Sequence, residues 1–250
     1  MKLLFFPRVL PVVSVFVLSV VLVACHKSDN NMNNNTPVSG LMAFNLATDK
    51  AVTVTLSGNP ITNLPLSFTS YTGNYLTIYS GSRLVQSFDY NSNNSLDSAT
   101  YNFEPQKYYS LFVTGSNGHY KNVIVNDNFD SLSTSQAYIR YVNAINDPSS
   151  PAVTISANGI NVINNNAPFA SVSGFTAVTP GDVNIHVNNG GSINKSRTIT
   201  LQQQHAYTVL LAGTPGSTGN DSLQIRYIEN GTFSQRAQKT SSTVGSASSN

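Results

Sequence analysis

The chain of 250 residues has no tryptophan, a single cysteine and only 10% charged residues. Each shortage excludes something. Soluble domains typically carry about 25% charged residues. Here Asn, Ser and Thr take that place, and a formal charge of +2 leaves no basic patch to attract nucleic acid. A lone thiol makes no internal disulfide, so folding rests on burial and backbone hydrogen bonds. Acid–base chemistry is thinly supplied, with four histidines and, among glutamates, only Glu104 and Glu229. A sustained helical period is absent too. Short runs rich in Val, Ile, Thr, Tyr and Phe replace it, and such residues favour strands.

The N-terminus is the one long apolar run. Lys2 and Arg8 precede Val12 to Val23, which is apolar apart from two serines and ends in Leu22-Val23-Ala24-Cys25. This is the layout of a secretory signal peptide, and its last four residues resemble a bacterial lipobox. Ala24 is the small residue before the cut, and Cys25 is the thiol that takes the lipid. An uncleaved membrane anchor is the competing reading. The unbroken run after Pro11 is about 13 residues, roughly 20 Å of helix, whereas a span needs about 20 residues. Residues 1–24 are therefore expected as signal peptide. Residues 25–38 are expected as the lipidated Cys25 and a flexible tether, since HKSDNNMNNNT has little apolar surface to bury. More than one acyl chain gives stable anchoring. His26 at the position after the cysteine, by resemblance to proteobacterial sorting, does not signal inner-membrane retention. An outer-membrane lipoprotein on the periplasmic face or the cell surface is the expectation. No cofactor is expected beyond the covalent lipid on Cys25.

Past Ser39 the chain alternates and turns. Val52-Thr53-Val54-Thr55-Leu56 alternates and ends in Ser57-Gly58-Asn59-Pro60, a turn signal. Val183-Asn184-Ile185-His186-Val187 alternates into Asn188-Asn189-Gly190-Gly191, residues that tolerate positive φ in a hairpin. Strands at this spacing point to sandwiches or barrels.

The pattern also repeats. Tyr101-Asn102-Phe103, a four-residue connection and Tyr108 to Gly115 match Ile199-Thr200-Leu201, a four-residue connection and Ala206 to Gly213 without a gap. Gly73 to Tyr79 is aligned with Gly181 to Val187, and Val52 to Asn59 with Val153 to Gly159. The expected organisation is a β-sandwich over 39–127, a polar linker over 128–135, a second sandwich over 136–230 and a disordered tail over 231–250.

The second half resembles the bacterial domain of unknown function 4397. The matching residues are Ile139-Arg140-Tyr141-Val142-Asn143-Ala144, Val153-Thr154-Ile155 with Asn158-Gly159, Pro180-Gly181-Asp182, and the strand from Tyr207 to Gly213. The first half is a diverged copy, with Phe44-Asn45-Leu46 in place of the Arg-containing strand. The resemblance implies an all-β protein with two tandem Ig-like antiparallel β-sandwich domains on a secreted or lipid-anchored chain. It brings no catalytic residues.

Candidate chemistry is sparse. A nucleophile needs a base and an orienting acid, yet His119 sits in a turn, His186 alternates with Val on a strand, and His205 lies in a connection. Asn126-Asp127-Asn128-Phe129-Asp130 offers calcium-like oxygens but lacks the Gly and distal Glu of a calcium loop; it reads as a polar turn, and no metal site is expected. Tyr75 and Tyr79 share one face of a strand with Thr77 and are candidates for stacking on sugar rings. Filling a sandwich core is their alternative role. Asp97-Ser98-Ala99, Asp130-Ser131-Leu132 and Asp221-Ser222-Leu223 resemble an O-glycosylation acceptor of Gram-negative bacteria, so Ser98, Ser131 and Ser222 are candidate modified residues. Simple Asx turns are the alternative there.

These observations point to a non-enzymatic, lipid-anchored envelope protein serving adhesion, scaffolding or binding. Its partners would be the membrane, through the lipid, and an envelope protein or glycan. A glycan-binding lipoprotein of a nutrient-uptake system is the alternative, and an envelope hydrolase stands third. The loops Ser116–Tyr120 and Pro215–Asn220 follow the two matched Gly-closed strands and are the candidate binding loops.

Overall fold

The computed structural model describes residues 36–130 and 132–232. Among these residues it is all-β, with sixteen strands in four four-stranded sheets and one 3-10 turn at Gly219–Asp221. The first sandwich has an inner sheet of β1 (Val38–Ala47), β4 (Leu76–Tyr79), β7 (Tyr108–Ser116) and β8 (His119–Asn126), in the order β4-β1-β7-β8. Its outer sheet holds β2 (Val52–Leu56), β3 (Asn59–Pro60), β5 (Gly81–Asp89) and β6 (Ser95–Phe103), in the order β3-β2-β5-β6.

The second sandwich repeats the plan. Its inner sheet holds β9 (Ala137–Ile145), β12 (Thr176–Val178), β15 (His205–Gly213) and β16 (Gln224–Thr232), in the order β12-β9-β15-β16. Its outer sheet holds β10 (Ala152–Ala157), β11 (Ile160–Asn166), β13 (Gly181–Asn188) and β14 (Asn194–Leu201), in the order β11-β10-β13-β14. Tyrosine corners appear at matched positions. The Tyr109 hydroxyl accepts the Glu104 amide at 2.9 Å, and the Tyr207 hydroxyl accepts the Gln202 amide at 3.1 Å. Both are Ig-like features.

The outer sheets read as the alternation requires. Val183, Ile185 and Val187 on β13 point inward, while Asp182 and Asn184 are exposed. The inner sheets do not alternate, because both of their faces are covered. Leu41 and Ala43 on β1 pack into the first sandwich with Val54, Val85 and Leu111. Met42, Phe44 and Leu46 on the same strand pack the other way, with Phe112, against Val142, Ala144, Leu210 and Ala212 of the second sandwich. Ile139 and Tyr141 on β9 join Val153, Ile185 and Val209 in the second core. The layers therefore stack outer, inner, inner, outer, within one compact unit. The central strands run parallel, β1 to β7 and β9 to β15, and strands covered on both faces read as continuous apolar runs. At roughly 1.5–3 kcal/mol per fully buried large side chain, the layer between the sandwiches is a core in its own right.

Of residues 128–135, expected as a polar linker, Phe129 and Leu132 pack on Tyr138 and Ala206 with Phe175. Phe129 also meets Tyr75 and Tyr108 of the first sandwich, at 6.1 and 6.0 Å between ring centres. The counterpart of Gly181 to Val187 is not Gly73 to Tyr79. Gly81 pairs with Phe103 as Gly181 pairs with Leu201, so β5 is the counterpart of β13. Leu41 pairs with Leu76 as Ile139 pairs with Thr176, so β4 is the counterpart of β12. Tyr75 thus corresponds to Phe175, not to Val183. Gly73 and Gly81 both precede alternating runs, and only the sheet pairing decides between them.

Candidate functional site

Two features could do chemistry: a buried polar network between the sandwiches, and a cleft at one end of their seam. The network centres on Arg140, which is 2% exposed in the middle of β9. A buried guanidinium needs a partner and saturated donors. Its Nη1 meets Asp127 Oδ1 at 2.6 Å, its Nη2 donates to Ser110 Oγ at 2.9 Å, and its Nε donates to Thr208 Oγ1 at 2.9 Å. Its flat face lies 4.3 Å from the Phe175 ring centre. The other Asp127 oxygen accepts from the Tyr75 and Ser110 hydroxyls. Asn230 closes the ring, accepting from Thr208 at 2.6 Å and donating to the Tyr75 hydroxyl at 3.2 Å. Burial pushes the Tyr75 hydroxyl well above its ordinary pKa, and the Asp127 charge pushes it further. Among the described residues, the buried side-chain polar atoms without a partner are Thr55 Oγ1 and Ser171 Oγ, neither of them in this network. The network therefore joins the sandwiches and leaves no reactive group free.

The cleft has a volume of about 670 Å³ and is walled by both sandwiches. One wall is the β1–β2 connection, with Asp49 and Lys50; the other is the Gly219–Asp221 turn and the start of β16, with Gln224 and Arg226. An inter-sandwich bond from Asn146 Nδ2 to Thr48 Oγ1, 3.0 Å long, lies beside it. Of the two expected binding loops, Asn220 lines the cleft. The other loop supports it from behind, since the Asn117 amide and the Tyr120 hydroxyl donate to Asp49 Oδ2 at 3.1 and 2.8 Å.

The sequence candidates fall in several places. Ala24, Cys25 and Ser131 lie outside the described residues, as does most of the expected tail. Ser98 is exposed on the edge strand β6, and its amide donates to Asp97 at 2.8 Å. Ser222 is half-buried, and its hydroxyl donates to the Gly219 carbonyl at 2.7 Å. Tyr75 and Tyr79 do not form one open platform. Tyr75 packs edge-on against Tyr108 and into the inter-sandwich core, whereas Tyr79 is 62% exposed. His186 meets Asn194 at 3.0 Å, and His205 lies 3.6 Å from Glu229. In the calcium-like stretch, Asp127 is taken by Arg140 and Asp130 by Lys107 at 2.6 Å. No group of three or more His, Cys, Asp or Glu that could hold a metal occurs among the described residues. In the sequence Arg140 stands only within the Ile139–Ala144 motif; its signal is that an arginine alone in an apolar strand must find a carboxylate.

A family model described as a domain of unknown function, DUF4397, matches residues 39–150 and again 137–250. No curated protein matches the chain. Among solved structures, one describes alpha-glucan recognition by family 41 carbohydrate-binding modules from streptococcal virulence factors. It is 9% identical over 74% of this chain and 96% of that one, with a TM-score of 0.25. Candidate cell adhesion proteins from Bacteroides eggerthii and Bacteroides uniformis are 11% and 10% identical. They cover 78% and 76% of this chain and 95% and 97% of theirs, with TM-scores of 0.26 and 0.24. Likenesses this slight assign no ligand.

Proposed function

The chain belongs to the DUF4397 family, and from that premise we propose that it is a lipid-anchored cell-envelope protein whose two sandwiches form a rigid, non-enzymatic adhesion, scaffold or binding module. The observation that carries the module reading is the Arg140–Asp127 network. Each guanidinium nitrogen of Arg140 and each carboxylate oxygen of Asp127 has a structural partner, and these bonds hold two sandwiches as one block. Catalytic groups are instead held with perturbed protonation beside open space. A block of this kind presents loops and a seam, where binding is usually carried.

The anchor rests on Leu22-Val23-Ala24-Cys25, and His26 after the cysteine supports the outer membrane, on the periplasmic face or the cell surface, as its address. Its partners are then the membrane, through the lipid on Cys25, and an envelope protein or a glycan. Ser98, Ser131 and Ser222 remain the proposed O-glycosylation acceptors; Ser98 is exposed, whereas Ser222 is half-buried in the wall of the cleft, where an attached sugar and a bound ligand would exclude each other.

Intact mass of the full chain from its own host tests these assignments together. The mass should exceed that of the polypeptide from Cys25 onward by acyl chains and by sugar. Cys25→Ser should lose incorporation of labelled fatty acid; continued labelling would sink the anchor. A mass without sugar would remove the acceptor assignment. The module reading predicts that the full chain binds isolated envelope fractions and returns their glycans and peptides unchanged. Release of shortened products would make it an enzyme.

A further inference from the structure

We propose that the cleft between the two sandwiches is a binding site for a neutral oligosaccharide. This rests on the module reading above and goes further by naming the site and the ligand class.

The chemistry of the walls sets the class. Among the described lining residues the formal charges cancel, with Asp49 and Asp221 against Lys50 and Arg226. Lys50 is moreover held by Asp89 at 3.2 Å. A phosphate or a polyanionic glycan would want several free cations converging on it, and the cleft offers Arg226 alone. An apolar ligand finds only Ala51 and Phe68 as apolar side chains in the lining. What remains is a ligand that is polar and uncharged. A sugar hydroxyl both donates and accepts, whereas a carboxylate only accepts and a guanidinium only donates. A cleft that places both kinds on facing walls suits neighbouring hydroxyl groups on one ring.

The walls are also held in place before any ligand arrives. Asp49 Oδ2 is fixed by Asn117 and Tyr120, which leaves Oδ1 without a partner among the described residues. Opposite, Arg226 Nε donates to Gln224 Oε1 at 2.6 Å, and Gln224 Nε2 donates to the Asn220 carbonyl at 2.8 Å. The terminal guanidinium nitrogens of Arg226 and the Asp221 carboxylate remain available. Held groups cost less ordering on binding than free ones. The inter-sandwich bond between Asn146 and Thr48 and the Arg140 network together fix the separation of the walls. A volume of about 670 Å³ lies within the usual range for ligand sites, about 300–1,000 Å³. Neither sandwich alone makes the site, which gives the rigid joint a use.

The experiment presents the full chain to an array of neutral gluco-, manno-, galacto- and xylo-oligosaccharides, with uronic-acid and sialylated glycans alongside. The strongest neutral binder is then titrated by calorimetry. Asp221→Ala and Arg226→Ala should each weaken it about tenfold or more, the scale of one charged hydrogen bond, at unchanged melting temperature. Asp49→Asn should weaken it less, because the amide oxygen can still accept from Tyr120. Tyr79→Ala, which is outside the lining, should leave it unchanged. The proposal is overturned if only acidic glycans bind, or if a neutral glycan binds both wall variants as well as it binds the parent. A blank array overturns it too. In that case retained binding to envelope fractions leaves the module reading standing, and loss of both ends that reading as well.

Discussion

The two sandwiches share a plan and differ where they touch. Chain offsets and sheet pairing match Met42 to Arg140, Ser110 to Thr208, Tyr75 to Phe175 and Asp127 to Asn230. Every one of these residues lies in or beside the inter-sandwich layer. Elsewhere the copies keep the same device. Asn45 donates to the Leu66 carbonyl at 2.8 Å and accepts the Ala47 amide at 2.8 Å. Asn143 does the same with Ala167 and Ile145, at 2.7 and 3.1 Å. The difference teaches how two similar faces can meet. In a strictly symmetric contact the residues near the axis meet their own counterparts, and two buried arginines there would repel. Here one copy supplies the arginine and the other the carboxylate. The aromatic bulk is shared out similarly. Tyr108 stands beside Gly40 in one parallel pair, and Tyr138 beside Ala206 in the other. A Cβ on Gly40 would fall 2.6 Å from the Tyr108 ring.

Exchanging a residue for its counterpart is the direct way to break this asymmetry. Arg140→Met gives the second sandwich what the first has, and it strands the Asp127 carboxylate in the layer. Breaking one side of a buried pair costs about 3–5 kcal/mol. Urea denaturation of the full chain should show a loss of that size, and mild proteolysis should then begin to separate the sandwiches, which stay together in the parent. Asp127→Asn alone should cost nearly as much. The double variant should recover most of the loss, because a neutral, well-packed layer replaces the ion pair. A double variant as unstable as the sum of the singles would show that the pair is not the joint.

A smaller effect is expected for Tyr75→Phe, which copies Phe175. The ring stays and the hydroxyl goes, leaving Asp127 and Asn230 one bond short. The cost is about 1.5–3 kcal/mol, as for hydrogen bonds to charged groups. The pH dependence sharpens the test. Folding raises the Tyr75 pKa, so above the unfolded value of about 10 the unfolded chain binds fewer protons than the folded one. Stability therefore falls as pH rises through that point. Tyr75→Phe should flatten this alkaline slope; an unchanged slope would place its origin in other tyrosines.

Much of each sandwich was legible. The alternation of Val183 to Val187 and the matched runs ending in Gly115 and Gly213 translate into β13, β7 and β15. Both glycines sit at positive φ, 116° and 109°, where a Cβ would strike the His119 or Ser222 carbonyl, so the sequence had to write Gly twice. The layer between the sandwiches was not legible. A strand buried on both faces shows an apolar run, and that run does not say whether its second face meets a helix, a sheet or a second copy. Arg140 and Asp127 are distinctive residues, but their meeting depends on how the inner sheets stack. The cleft was half legible. The loop Pro215–Asn220 pointed to its rim, while Asp49 and Arg226 carry no motif and become neighbours of one space only when two sandwiches are joined.

The smallest effect is expected at the position where the two copies differ and nothing depends on it. Tyr79 ends β4 beside Val38, and it is 62% exposed against 39% for Val38. Its counterpart after β12 is Thr179, also exposed. Tyr79→Thr keeps a strand-favouring residue at an open edge, and surface substitutions of this kind stay within about 0.5 kcal/mol. Melting of this variant beside Tyr75→Ala separates the two tyrosines that the sequence places on one face. Truncating Tyr75 removes a packed ring and two hydrogen bonds at once, so its loss should reach about 3 kcal/mol or more. Comparable losses for both variants would mean that Tyr79 is also covered in the folded chain. A silent Tyr79→Thr that nonetheless lost glycan binding would move the sugar site from the cleft to the edge of β4.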